Sequence, residues 1–173
     1  MLVIGCGPVG LLSIACAKAL GADRVIAADL FENKLNLAVE MGAEETINCR
    51  NDSLAESIMK MTSGRGIERI CEASGHSKAL GDCFSWLRKG GKIGIVGIPK
   101  DSVEIKNPLP GRSIFGCIDS NFRSYLDLVF KSLEVHTVHG RRIFHSWEEC
   151  EKLIHSGLVK PGQYSLALIN CDS

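Results

Sequence analysis

The stretch LVIGCGPVG, residues 2–10, constrains the fold more than any other part of the chain. An apolar run stops at Gly5, and Gly7 and Gly10 follow before a helical pattern begins. Such a run reads as a strand buried on both faces, the habit of parallel sheets. Three glycines at this spacing suit a strand-to-helix turn. The first permits a tight reversal, the second lets a ligand approach the backbone, and the third lets the helix lie close to the sheet. The unpaired N–H groups of that helix end suit a pyrophosphate. Alone, the three glycines fit equally a flavin site or a turn with no ligand.

Context narrows the choice. RVIAAD reads as a second strand, and it ends on Asp29, nineteen residues beyond Gly10. A carboxylate there can accept the hydroxyls of an adenosine ribose and repels a 2′-phosphate. Arg24 precedes this strand rather than following it, so it is not placed to neutralise such a phosphate. The expected cofactor is therefore NAD, not NADP.

The rest of the chain keeps the rhythm of strand and helix. ENKLNLAVEM is predicted to be a helix stopped by Gly42, and ETINC a third strand. Ser53 with Glu56 fits a capping box before a helix that carries Leu54, Ile58 and Met61 on one face. ERICEAS reads as a fourth strand, followed by a helix from Ser77 to Leu87 that Gly90 and Gly91 end, and KIGIVG as a fifth strand. This alternation calls for right-handed crossovers, hence an α/β fold with a doubly wound parallel sheet in three layers, a Rossmann fold. The expected domain is 1–160, with a short tail over 161–173. The rhythm breaks after Pro99, and 101–123 reads as an irregular excursion. A short helix at YLDLVF and a sixth strand at SLEVHTVH follow. Ser146 and Glu149 fit a second capping box, with Trp147, Cys150, Leu153 and Ile154 as the apolar stripe of the last helix, closed by Gly157.

GCGPVGLLSIACAKALGADRVIAADLFENKLNLAVEMGAEETIN resembles the coenzyme domain of the medium-chain, zinc-dependent alcohol dehydrogenase family. ICEASGHSKAL, LRKGGKIGIVGIP and FKSLEVHTVHGRRIFHSWEECEKLIHSG continue the likeness, the last most similar to the threonine 3-dehydrogenase branch. Sorbitol, other polyol and butanediol dehydrogenases of the family are close alternatives. The resemblance implies that Gly5, Gly7 and Gly10 form the pyrophosphate loop and that Pro8 and Val9 lie over the cofactor. It places Asp29 and Lys34 at the adenosine ribose. It sets Glu72, Ala73 and Ser74 at the fourth strand's end, and Val96, Gly97 and Ile98 along the nicotinamide. In that family, a domain preceding this one supplies the catalytic zinc ligands. No such positions match here, so zinc is expected only in a full-length relative. The chain alone is expected to bind NAD without turnover, with no catalytic and no metal-binding residue of its own. A different reading is a non-enzymatic NAD-binding interaction module that uses 101–123 as its surface.

Twenty basic residues balance twenty acidic ones, which gives no reason to expect nucleic acid or an anionic membrane as partner. Eight scattered cysteines without a CxxC read as buried free thiols, and with no secretory signal they suggest a cytoplasmic setting. Cys71 reads as a strand residue rather than a nucleophile. His136 and His139 point to opposite faces of a strand, and His145 and His155 sit at helix ends, so none forms a ligand set. Arg141 and Arg142 face either solvent or cofactor. The resemblance implies a homodimer paired through the sixth strand.

Overall fold

The structure is a computed structural model, and it describes residues 1–103, 131–137 and 145–161. In chain order the elements are β1 (Leu2–Ile4), α1 (Pro8–Ala19), β2 (Ile26–Asp29), α2 (Glu32–Glu40), β3 (Glu45–Asn48) and α3 (Leu54–Met61). They continue with β4 (Ile67–Glu72), α4 (Ser77–Trp86), β5 (Leu87–Ile95), β6 (Glu134–Thr137) and α5 (His145–His155). The strands form one parallel sheet in the order β3-β2-β1-β4-β5-β6. The chain thus winds outward from β1 to β3, then returns to the other side of β1 and winds outward again. Ligands in such sheets bind where that reversal parts the crossovers, outside the carboxyl ends of the strands.

The three layers follow from the period of two along each strand. Leu2 and Ile4 face one core with Ile26, Ile47, Ile70 and Ile93, closed by Ile58 of α3 and by Leu80 and Phe84 of α4. Val3 faces the other, with Val25, Ala27 and Cys71, closed by Leu11 and Ile14 of α1 and by Leu35 and Ala38 of α2. Apolar residues are therefore needed on both faces of β1, which explains why its sequence has no alternation.

Two boundaries depart from expectation. Helix α4 ends at Trp86 and β5 begins at once on Leu87, so Gly90 and Gly91 lie inside a strand rather than ending the helix. Ile67 pairs with Leu87 while Arg69 pairs with Lys92, so β5 carries extra residues in an irregularity that the glycine pair accommodates. The end of α4 is satisfied from elsewhere: the Lys131 ammonium donates to the carbonyls of Phe84, Ser85 and Leu87 at 3.2, 3.4 and 3.3 Å. Helix α5 begins at His145, so Ser146 lies within it instead of capping it. On the apolar stripe of this helix Trp147 is 58% and Ile154 47% exposed, and Cys150 is exposed as well.

The excursion beyond residue 103, the helix at YLDLVF, His139, Arg141, Arg142 and the tail beyond 161 lie outside the described residues. Among the described residues no helix is long and apolar enough to cross a membrane.

Candidate cofactor-binding edge

The carboxyl ends of β1, β2, β4 and β5 are level. Ile4 pairs with Ala28 on one side and Glu72 on the other, and Glu72 pairs with Ile95. The loop between β1 and α1 sits at the centre of this row. Gly5 has φ +88°, and a Cβ there would lie 2.8 Å from the Ser74 backbone, so both conformation and space demand glycine. A Cβ on Gly10 would overlap the Gly5 carbonyl oxygen and come within 2.9 Å of its carbon, so this glycine lets α1 pack against the turn.

Gly7 differs from both. Its φ is −74°, open to any residue, and a Cβ there would meet no atom of the described residues within 4 Å. Nothing among the described residues requires glycine at this position. It is the N-cap of α1, no side chain caps that helix, and Pro8 follows as its first residue. The result is an open space at a helix N-terminus with backbone N–H groups directed into it, a fit for a phosphate group.

Asp29 ends β2 and is half-buried. Its Oδ2 accepts from the Cys6 N–H at 2.7 Å, and its Oδ1 from the N–H groups of Leu30 and Phe31 at 2.7 and 3.0 Å. A carboxylate offers about four acceptor sites, so the three bonds fix its direction and leave capacity on Oδ2. The bond to Cys6 also ties β2 to the glycine loop, a role that strand position alone did not reveal. Lys34 is half-buried, its ammonium 5.1 Å from the Phe31 ring centroid, and the Arg50 guanidinium stands 4.5 Å from the same ring. Arg50, a lone basic residue in a turn, gave no signal in the sequence. Arg24 lies at the amino edge of the sheet, paired with Glu45 and donating to the Met61 carbonyl at 3.1 Å.

Across the switch point, the Ala73 N–H donates to Ile4 O at 2.8 Å, and those of Val96 and Gly97 to Glu72 O at 2.9 Å each. Ile98, 81% exposed, and Val9, 49% exposed, present apolar side chains on the open edge. Residues 5–10, Asp29, Lys34, Ala73 and 96–98 thus all lie along one edge of the sheet.

The thiols near this edge are not poised to react. Burial, helped by the Asp29 charge, pushes the Cys6 thiol up to about 12. Burial also raises that of Cys71. Proton loss is needed for a nucleophilic thiol, so neither serves as one at neutral pH. His136 and His155 are exposed, with Glu134 at 3.4 Å and Glu151 at 3.8 Å respectively. Among the described residues no group of three or more His, Cys, Asp or Glu side chains could hold a metal ion.

A doubly wound sheet with this glycine turn and this acid is a dinucleotide-binding domain; its fold and loop are those of an NAD-binding Rossmann domain. The family model described as zinc-binding dehydrogenase matches residues 8–156. The chain belongs to the zinc-binding dehydrogenase family. It is 34% identical over 158 residues to the L-threonine 3-dehydrogenase of Bacillus licheniformis, an alignment covering 91% of this chain and 41% of that protein. The chain therefore spans about two fifths of the length of the curated relatives it matches. Among solved structures, an alcohol dehydrogenase from Thermotoga maritima is 29% identical with a TM-score of 0.69, over 96% of this chain and 40% of that one. A short chain alcohol dehydrogenase from Escherichia coli CFT073, solved with NADH, shares the fold with a TM-score of 0.76 at 22% identity, over 94% of this chain and 42% of that one.

Proposed function

We propose that this chain binds NAD along the carboxyl edge of its sheet and places it for hydride transfer with a secondary alcohol, as part of a threonine 3-dehydrogenase-like enzyme. The observation that carries the reading is Gly7, a glycine that no contact among the described residues explains and that opens onto a helix end without a side-chain cap. The pyrophosphate would lie against residues 5–10. The adenosine ribose would reach Asp29 and Lys34, and the nicotinamide would lie over Ala73, Val96, Gly97 and Ile98. Bound NAD supplies the hydride acceptor; the protein supplies position and exclusion of water. The described residues hold no group of three or more His, Cys, Asp or Glu side chains that could form a zinc site. Threonine is favoured over a polyol as substrate class because several threonine 3-dehydrogenases are at least 30% identical to this chain.

Titration with NADH and NADPH tests the cofactor. NADH should bind at least about tenfold tighter, because Asp29 would face the 2′-phosphate. Equal affinities, or a preference for NADPH, would remove the assignment of Asp29.

The sixth strand is the proposed dimer contact. It lies at the open edge of the sheet with all four of its residues exposed, Val135 at 44%. An open edge recruits a second strand through its free backbone groups. Sedimentation should give a dimer, and Val135→Pro should give a monomer because it removes one of those donors. A wild-type monomer at all concentrations would exclude the contact.

A further inference from the structure

Glu72 is a fully buried acid at the end of β4, in the middle of the proposed site, where an apolar residue would serve the core at lower cost. Its Oε1 accepts from the Ser74 N–H at 2.9 Å, from the Ser74 hydroxyl and from the Gly75 N–H at 3.2 Å. Its Oε2 has a longer contact with the same Gly75 N–H, 3.4 Å, and lies so close to Gly97 that a Cβ there would be 2.5 Å away. The Glu72 carbonyl takes the N–H groups of Val96 and Gly97. One residue thus grips the turn after β4 with its side chain and the turn after β5 with its main chain. The two turns also touch each other, since a Cβ on Gly75 would be 2.8 Å from Ile98 O.

We infer that Glu72 is a positioning residue for the nicotinamide half of the cofactor. The inference rests on the NAD reading above. With adenosine over β2 and pyrophosphate at Gly7, the second nucleoside has to cross the switch point and lie over the ends of β4 and β5. The surface it meets there is backbone from the two turns that Glu72 holds. The adenosine half is fixed separately, by Asp29 on β2 and its own three N–H donors. Loss of the Glu72 carboxylate therefore shifts one half of the site and spares the other.

The test compares NADH with ADP, which carries only the adenosine and pyrophosphate. Glu72→Ala should weaken NADH by about tenfold or more, the scale of a lost charged hydrogen-bond set, and leave ADP within about twofold. The fluorescence of bound nicotinamide should change with it, and Glu72→Gln, which keeps one acceptor oxygen, should recover part of the loss. Ser74→Ala removes one donor without emptying a buried site, so it decides the matter if Glu72→Ala fails to fold. It should weaken NADH about threefold with ADP unchanged. NADH and ADP falling by the same factor, or neither falling, would overturn the role of Glu72. A wild-type chain that binds neither nucleotide removes the NAD reading and this inference together, whereas normal wild-type binding with an unchanged ratio in the variants removes only the inference.

Discussion

Gly7→Ser is expected to raise the stability of the fold and abolish useful NAD affinity at the same time. At φ −74° serine is unstrained and removes conformational freedom from the unfolded chain. Its hydroxyl also caps α1, where no side chain does so now. Together these contribute about 0.5–1 kcal/mol, seen as a melting temperature higher by roughly 1–4 °C. The same hydroxyl fills the open space and takes the N–H groups that a pyrophosphate needs, so NAD should weaken by about 100-fold or more. Gly10→Ala is the contrasting variant. Its Cβ would overlap Gly5 O and force α1 off the sheet, with a stability loss of about 1–3 kcal/mol or more. The pair separates a ligand's requirement for glycine from the fold's. Undiminished NAD binding by Gly7→Ser would refute the placement of the pyrophosphate.

That separation also marks what a sequence discloses. All three glycines were legible as one motif, because their spacing suits a strand-to-helix turn that opens onto a ligand. Only the fold distinguishes Gly5 and Gly10, held by neighbours in the chain, from Gly7, which none of the described residues holds. Asp29 was legible as a strand-end acid, but its bond to the Cys6 N–H joins residues twenty-three apart, and spacing does not report such a bond. Glu72 is legible in the sequence only as a residue at the end of the fourth strand, through the family resemblance. Its burial depends on β5 lying alongside, a contact remote in sequence. The end of α4 was misplaced because a glycine pair usually stops a helix. Here tertiary hydrogen bonds from Lys131 cap the helix early, and the glycines serve the strand that follows. On α5, periodicity shows which residues share a face, and it does not say what packs on that face.

Asp29→Ala should produce a double loss that a purely ligand-facing acid would not. The Cys6 N–H sits in a loop whose side chain is only 1% exposed, and the carboxylate is its partner. Leaving that donor unsatisfied costs about 1–3 kcal/mol, so the variant should melt at a lower temperature even without cofactor. NAD should weaken by about tenfold or more, because the ribose loses its acceptor and the glycine loop loses its tie to β2. NADP should weaken less than NAD, since removing the carboxylate also removes its repulsion of the 2′-phosphate. Lys34 and Arg50, both beside the Phe31 ring, are basic groups on that side. Asp29→Asn divides the two effects. It retains an acceptor oxygen for part of the backbone set but carries no charge, so it should recover stability while keeping the altered ratio of NAD to NADP. A variant that melts like the wild type would show that the Cys6 bond contributes nothing to the loop. An unchanged ratio in both variants would show that cofactor choice is made elsewhere.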